Sequence, residues 1–178
     1  MAGTNPHYYW DTCIFVAWLK DEKTRQPGEM DAINDCIKKF YKRELYLMTS
    51  VLTITEISIL KIPAGTETLL EEAMQRSSFS KLSIDMRVAK LARDLRNYYL
   101  VRDQTFRGKT LTVPDALHLA TAILYRADEF HTFDEKGDKN SLGLLPLDGN
   151  VAGHDLKICR PPISQQLGLA LPNNEVIK

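Results

Sequence analysis

Four carboxylates in this chain stand at element boundaries or inside apolar sequence, where a solvated polar face does not account for them. Asp11 follows HYYW, Glu56 lies within VLTITEISILK, Asp115 opens the helical stretch in LTVPDALHLATAIL, and Asp134 follows EFHTF. Each has a structural role open to it. Asp11 can cap the helix after it, Asp115 and Glu56 can close capping boxes begun by Thr112 and Thr53, and Asp134 can begin a turn. Taken singly, those roles suffice. Brought to one place, however, four unpaired carboxylates repel one another and raise their own pKa values unless a cation joins them. Oxygen-only ligands, with no His or Cys at zinc spacing, favour a hard ion, Mg²⁺ or Mn²⁺, which keeps waters and accepts phosphate oxygens. The chemistry such a site supports is metal-assisted phosphodiester hydrolysis.

The elements that must position these acids follow from periodicity. His7 to Trp10 reads as a strand and Cys13 to Leu19 as a helix, which puts Asp11 at a strand's C-terminal end. Met30, Ile33, Ile37, Phe40 and Tyr41 recur at helical spacing after Pro27, to about Arg43. Leu45 to Met48 is a second strand, VLTITEISILK a helix, and a further helix starts near Thr66 after the break at Pro63 and Gly65. Leu82 to Ile84 is read as a short strand. Asp85 to Arg102 is an amphipathic helix with Val88, Leu91, Ala92, Leu95 and Tyr99 inward and Arg87, Lys90, Arg93 and Arg96 outward. Glu129 to Phe133 is a strand ending at Asp134, and Leu144 to Leu147 and Leu156 to Cys159 are read as short edge strands. Alternating strands and helices predict an α/β fold with a mostly parallel sheet covered on both faces. In such sheets the functional crevice lies beyond the C-terminal ends of the strands.

Composition bounds the partners. The chain has 178 residues, 44% hydrophobic and 26% charged, with Lys plus Arg and Asp plus Glu balanced at 23 each. That length suits one domain, and the balance leaves no global basic field, so any nucleic-acid site is a local patch. Arg107 and Lys109, in the polar loop before the Asp115 helix, are the candidates for it. The three cysteines are in neither CxxC nor Cys/His metal spacing, which suits a reduced, soluble, cytoplasmic protein. No segment reads as a signal peptide or a membrane span.

The blocks YYWDTCIFVAWL, TSVLTITEIS, PDALHLATAIL and FHTFD, in this order and across roughly residues 7 to 135, resemble the four signature blocks of PIN-domain ribonucleases, including the VapC-type toxins. The resemblance implies a three-layer α/β/α sandwich in which Asp11, Glu56, Asp115 and Asp134 form the acidic, metal-binding cluster. It further implies Mg²⁺- or Mn²⁺-dependent cleavage of RNA, and often a homodimer held inactive by a small antitoxin. Thr132 matches the family's hydroxyl two residues before the last acid, with Thr12 as a second supporting residue. Asp138 is available as an additional acid. Phe133 stands where many relatives carry a polar or basic residue, which removes one phosphate contact. The PIN-like domain is assigned to residues 1–160, and residues 161–178 to an extended or partly ordered tail.

Two rival functions fit parts of the chain. An aspartyl-phosphate phosphatase would use Asp11 as nucleophile, but the residue two positions later is Cys13 rather than a second acid. A binding protein without turnover would use the acidic pocket to capture a partner's Arg or Lys. His118, flanked by Leu117 and Leu119, is read as a satisfied core group, and Tyr8, Tyr9 and Trp10 as core of the first strand.

Overall fold

The computed structural model describes residues 5–57, 62–102, 105–106 and 108–163. Its centre is a five-stranded sheet in the order β3-β2-β1-β4-β5, with every adjacent pair parallel. The strands are β1 (His7–Trp10), β2 (Tyr46–Ser50), β3 (Phe79–Leu82), β4 (Glu129–His131) and β5 (Ile158–Cys159). Parallel neighbours need long crossovers, and helices supply most of them. Helices α1 (Thr12–Lys20) and α2 (Glu29–Tyr41) join β1 to β2, while α3 (Leu52–Glu56) and α4 (Glu67–Met74) join β2 to β3. Helices α5 (Met86–Asn97) and α6 (Val113–Leu124) then carry the chain to β4.

Side chains alternate across a strand, so HYYW sends Tyr9 to one face and Trp10 to the other. Trp10, Leu47 and Phe79 pack with Ile14 and Phe15 of α1, Ile33 and Phe40 of α2, and Leu70 of α4. Tyr9, Met48, Phe130 and Ile158 pack with Val88 and Leu95 of α5 and Leu119 and Ala120 of α6. The result is the three-layer α/β/α sandwich, with the sheet buried on both faces. Phe130 is fully buried and stacks on Tyr9 with ring centroids 5.1 Å apart. Phe130→Ala is expected to cost about 3–5 kcal/mol, as lost apolar burial plus a residual cavity, read as a lower urea midpoint at unchanged slope.

Several element boundaries differ from the sequence reading for local reasons. Leu144 to Leu147 is not an edge strand: Leu145–Leu147 is a 3-10 turn whose Pro146 removes a ladder donor. The third strand is Phe79–Leu82, earlier than Leu82 to Ile84, because Asp85 turns the chain to cap α5 through the amides of Arg87 and Val88. The helix after Pro27 begins only at Glu29, with Gly28 at φ 87 as its left-handed N-cap. The Asp85 to Arg102 helix is α-helical to Asn97 and closes in a π-helical turn, Tyr98–Arg102. Of VLTITEISILK, Leu52–Glu56 is helical and residues 58–61 lie outside the described residues, as do residues 164–178 of the tail. No described helix is long and apolar enough to cross a membrane.

The strand order decides where the site lies. Strand β1 sits between β2 and β4: the chain runs outward from β1 through β2 to β3, then crosses back to β4 on the other side of β1. Such a switch point opens a crevice beyond the strand ends. Asp11 leaves β1 there, and its backbone N–H donates to the His131 carbonyl at the end of β4 at 3.1 Å.

Candidate active site

Asp11 caps α1 from the end of β1, as the sequence allows, and that capping fixes its carboxylate. Oδ1 accepts the Thr12 backbone N–H at 2.7 Å, while Oδ2 accepts the Thr132 hydroxyl at 2.8 Å and the Cys13 thiol at 3.3 Å. The residue is only 8% exposed. Thr132 lies just beyond β4, fully buried, and its oxygen also accepts the Asp134 backbone N–H at 3.1 Å. One hydroxyl therefore ties the first acid to the last.

Asp134 is held by a turn in which its Oδ1 accepts the Gly137 N–H at 3.0 Å. Gly137 has φ 61, and a Cβ there would come within 2.5 Å of the Ser141 carbonyl oxygen and the Leu142 carbonyl carbon, so this crossing requires glycine. Burial, then the nearby charge of Asp11, push the Asp134 carboxyl above its ordinary range despite the opposing Gly137 bond.

Asp115 sits in the first turn of α6, where Thr112 is the N-cap. Its backbone N–H donates to the Thr112 hydroxyl at 3.2 Å, and that hydroxyl in turn donates to Asp115 Oδ2. Burial raises the carboxyl to about 6, with Asp11 and Asp134 adding repulsion and Thr112 opposing it. The charges of Asp11 and Asp134, on other elements, thus act on Asp115. Among the described residues, no Lys or Arg forms an ion pair with any of the three.

Glu56 reaches the same place from the end of α3. Its Oε2 accepts the Thr12 hydroxyl at 2.5 Å and faces His118 Nε2 at 2.8 Å. The expected capping box with Thr53 does not form: Val51 is the N-cap and makes no side-chain bond, and Thr53 pairs its hydroxyl with Thr49 at 2.6 Å. Asp11, Thr12, Cys13, Val16, Arg25 and Glu56 line one cavity of ≈320 Å³. A wider groove of ≈730 Å³, lined by Leu91, Leu95, Tyr98 and His154 among others, includes none of the four acids.

Other sequence candidates are placed differently. Asp138 spends its Oδ1 on the amides of Asn140 and Ser141, at 2.9 and 3.0 Å, and the Asn140 bond heads the causes that lower its pKa. Lys109 Nζ donates to the Asp138 carbonyl at 2.9 Å, and Arg107 lies outside the described residues. On α5, Arg87 pairs with Asp85, Arg93 with Asp94, and Arg96 Nε donates to the Leu111 carbonyl at 3.0 Å. These arginines serve the fold around them.

Sequence reasoning missed two residues. Arg25 lines the acidic cavity with its guanidinium 3.9 Å from the Phe133 ring centroid, so the aromatic residue that replaces a polar one carries a cation on its face. Glu22 holds Arg25 Nε at 2.7 Å, although the N–H is misaligned for a hydrogen bond. His118 is 1% exposed and satisfied, as read, but its partner is Glu56. No local signal links residues so far apart in sequence.

The chain also holds a His/Cys/Glu cluster that spacing did not reveal. Donor atoms of Glu129, His131 and Cys159 lie within 4.8 Å of one another. Its hydrogen bonding argues for a structural role. Trp10 Nε1–H donates to His131 Nδ1 at 3.1 Å, so the neutral ring carries its proton on Nε2 and donates it to Glu129 Oε2 at 2.8 Å. Burial holds His131 below its usual pKa, which keeps the ring neutral. A metal at Nε2 would have to displace the ring's only proton. The His131 hydrogen bond and Lys157 hold Glu129 down at about 2 despite its burial, and the chain Lys157–Glu129–His131–Trp10 stitches β5, β4 and β1 together.

With the fold and these contacts in view, comparison with known proteins decides the family. A sequence profile described as the PIN domain matches residues 8–141, more than half of the chain. The chain belongs to the PIN domain family. PIN domains are in general nucleases and in general use divalent metal ions. This PIN domain is also similar in fold to VapBC2 from Rickettsia felis, solved bound to a DNA fragment from its promoter, at 14% identity and TM-score 0.56, covering 85% of this chain and 98% of that one. FitAB bound to an IR36 DNA fragment matches at 19% identity and TM-score 0.50, covering 86% and 94%. A toxin–antitoxin complex from Klebsiella pneumoniae matches at 21% identity and TM-score 0.46, covering 75% and 88%. No curated protein sequence matches significantly.

Proposed function

We propose that this PIN domain is a Mg²⁺- or Mn²⁺-dependent endoribonuclease, the toxin of a toxin–antitoxin pair, with Asp11, Glu56, Asp115 and Asp134 as its metal-holding acids. The observation that carries this reading is the uncompensated charge at Asp11, Asp115 and Asp134. Burial, with the charge of Asp11 added, raises the Asp115 and Asp134 carboxyls, and the oxygen-only donor set fits a hard divalent ion. When bound, such an ion supplies an acidified water and a clamp for phosphate oxygens.

The chain's own residues do the positioning. Thr132 ties the Asp11 carboxylate to the Asp134 backbone, and the Thr112 cap holds the Asp115 carboxyl in the first turn of α6. Thr12 donates to Glu56 from the residue next to Asp11, so two of the acids are set by adjacent backbone. Arg25, on the cavity wall, is placed to contact a backbone phosphate of the RNA. Lys109 and Arg107 are the proposed strand-guiding cations, and Asp138 shapes the turn after Asp134 through the amides of Asn140 and Ser141.

A cognate antitoxin and a second copy of the chain are the proposed protein partners, in line with the resemblance of the signature blocks to VapC-type toxins and the fold shared with VapBC2 and FitAB. The free thiols of Cys13, Cys36 and Cys159 suit action in the reducing cytoplasm. Purified protein, without a partner, is expected to cut a structured RNA in Mn²⁺ or Mg²⁺, to stop in excess EDTA, and to recover when the ion is returned. Cleavage indifferent to EDTA would overturn the metal mechanism. Absence of cleavage with tight binding of an Arg-containing partner peptide would favour a binding protein without turnover.

A further inference from the structure

Glu56 is hydrogen-bonded to His118, a buried residue that the acidic cluster alone does not explain. The Ser50 backbone N–H donates to the Tyr9 hydroxyl oxygen at 3.0 Å, and that hydroxyl lies 2.7 Å from His118 Nδ1. Glu56 Oε2, a carboxylate oxygen that only accepts, lies on the other side of the ring, so the ring's proton sits on Nε2 and Nδ1 takes the phenol's proton. Nε2 faces Glu56 Oε2, at 2.8 Å, and donates to it.

The second donor to the same oxygen is fixed by a ladder of hydroxyls. Thr49 gives its proton to the Trp10 carbonyl at 2.9 Å, so the 2.6 Å contact between Thr49 and Thr53 is donated by Thr53. Thr12 lies 3.4 Å from the Thr53 oxygen but 2.5 Å from Glu56, so its proton goes to the carboxylate. Glu56 Oε2 therefore receives His118 Nε2–H from one side and Thr12 O–H from the other. Tyr9, Thr49, Thr53 and His118 are all buried, so these donors are screened from water and their directions are set by packing.

A glutamate has three side-chain torsions, and here it sits at the end of a five-residue helix with no side-chain cap. The backbone alone does not aim it. We propose that His118, held as the Nε2–H tautomer by Tyr9, is a positioning residue that aims the Glu56 carboxylate into the acidic cavity. The role in the cavity rests on the metal-site reading above, whereas the tautomer stands on the hydrogen bonds alone. His118 transfers no proton in this scheme. Its contribution is to hold one ligand oxygen so that the carboxylate meets the ion in a single orientation, the part played by hydrogen-bond partners behind metal ligands in general.

The test combines structure and binding on the full chain. Nitrogen-15 spectra of the wild type should show a pyridine-type Nδ1 and a pyrrole-type Nε2 for His118. In Tyr9→Phe the ring should lose that fixed pattern. His118→Ala should weaken Mn²⁺ binding, measured by calorimetry without RNA, by about 10–100-fold, and lower kcat with little change in KM for RNA. His118→Gln, whose amide N–H can stand in for Nε2–H, should recover most of the loss, and it carries the test if the alanine variant does not fold. An Nδ1–H ring or an imidazolium would overturn the tautomer assignment. A folded His118→Ala with wild-type Mn²⁺ affinity and kcat, changed only in melting temperature, would overturn the positioning role. A wild type that binds no Mn²⁺ would instead overturn the metal-site reading and, with it, that role.

Discussion

Asp11→Asn is expected to lower RNA cleavage by about 1000-fold or more, equal to about 4 kcal/mol of transition-state stabilisation, while shifting folding stability by less than about 1 kcal/mol. The two halves of that expectation have separate causes. Asn caps helices as well as Asp, and its carbonyl oxygen can keep the bond from the Thr12 N–H that starts α1. Its amide replaces Oδ2, which accepts from Thr132 and Cys13 beside the acidic cavity. A neutral amide group cannot supply the negative charge that holds a divalent ion among the other acids. The measurements are initial rates on a fixed RNA in Mn²⁺ and a urea titration of the same preparations. Wild-type cleavage by a folded Asp11→Asn would remove the acidic cluster from the mechanism.

The second large effect runs in opposite directions for activity and stability. Asp115→Asn should reduce cleavage about 100-fold or more, as loss of a charged ligand, yet stabilise the metal-free protein at pH 7.5 by about 1–2 kcal/mol after discounting for solvent screening. The sign follows from the carboxyl standing at about 6 in the fold against 3.8 ordinarily. The fold prefers the protonated form, so the group's contribution to stability is fully present below 3.8 and is lost as pH rises toward 6. Asn imitates the protonated acid at every pH. Its advantage should therefore appear between those values, persist above them, and vanish in acid. Saturating Mn²⁺ should narrow or reverse the difference, because the ion stabilises the wild type by mass action and the variant much less. Thermal melts across pH, with and without Mn²⁺, read all of this. A variant less stable than wild type at pH 7.5 without metal would show that Asp115 serves the fold through its charge.

The Asp115 case also shows why capping and function were both visible in the same residues. An N-cap is a contact within three or four positions, so Asp11 before CIFVAWL and Thr112 before VPDALHL are recognisable from adjacent sequence. The Thr53–Glu56 spacing looks equally good and fails, because Thr53 is drawn to Thr49 by the way β2 runs into α3. Local spacing proposes a bond, and competition for the hydroxyl decides it. Leu144 to Leu147 fails in the same manner, through Pro146.

By itself the sequence determined the alternation of strands and helices, the caps at Asp11 and Thr112, and the order of four acidic blocks. These depend on side-chain period and on neighbours a few residues apart. Only the tertiary structure decided that β1 lies between β2 and β4, and with it every contact that assembles the candidate site. Thr132 meets Asp11 across 121 positions, Tyr9 meets His118 across 109, and His118 meets Glu56 across 62. Arg25 reaches Phe133, and Glu129, His131 and Cys159 gather on neighbouring strands, for the same reason. Strand order comes from packing two helical layers against one sheet, a global balance of buried area that no local period encodes.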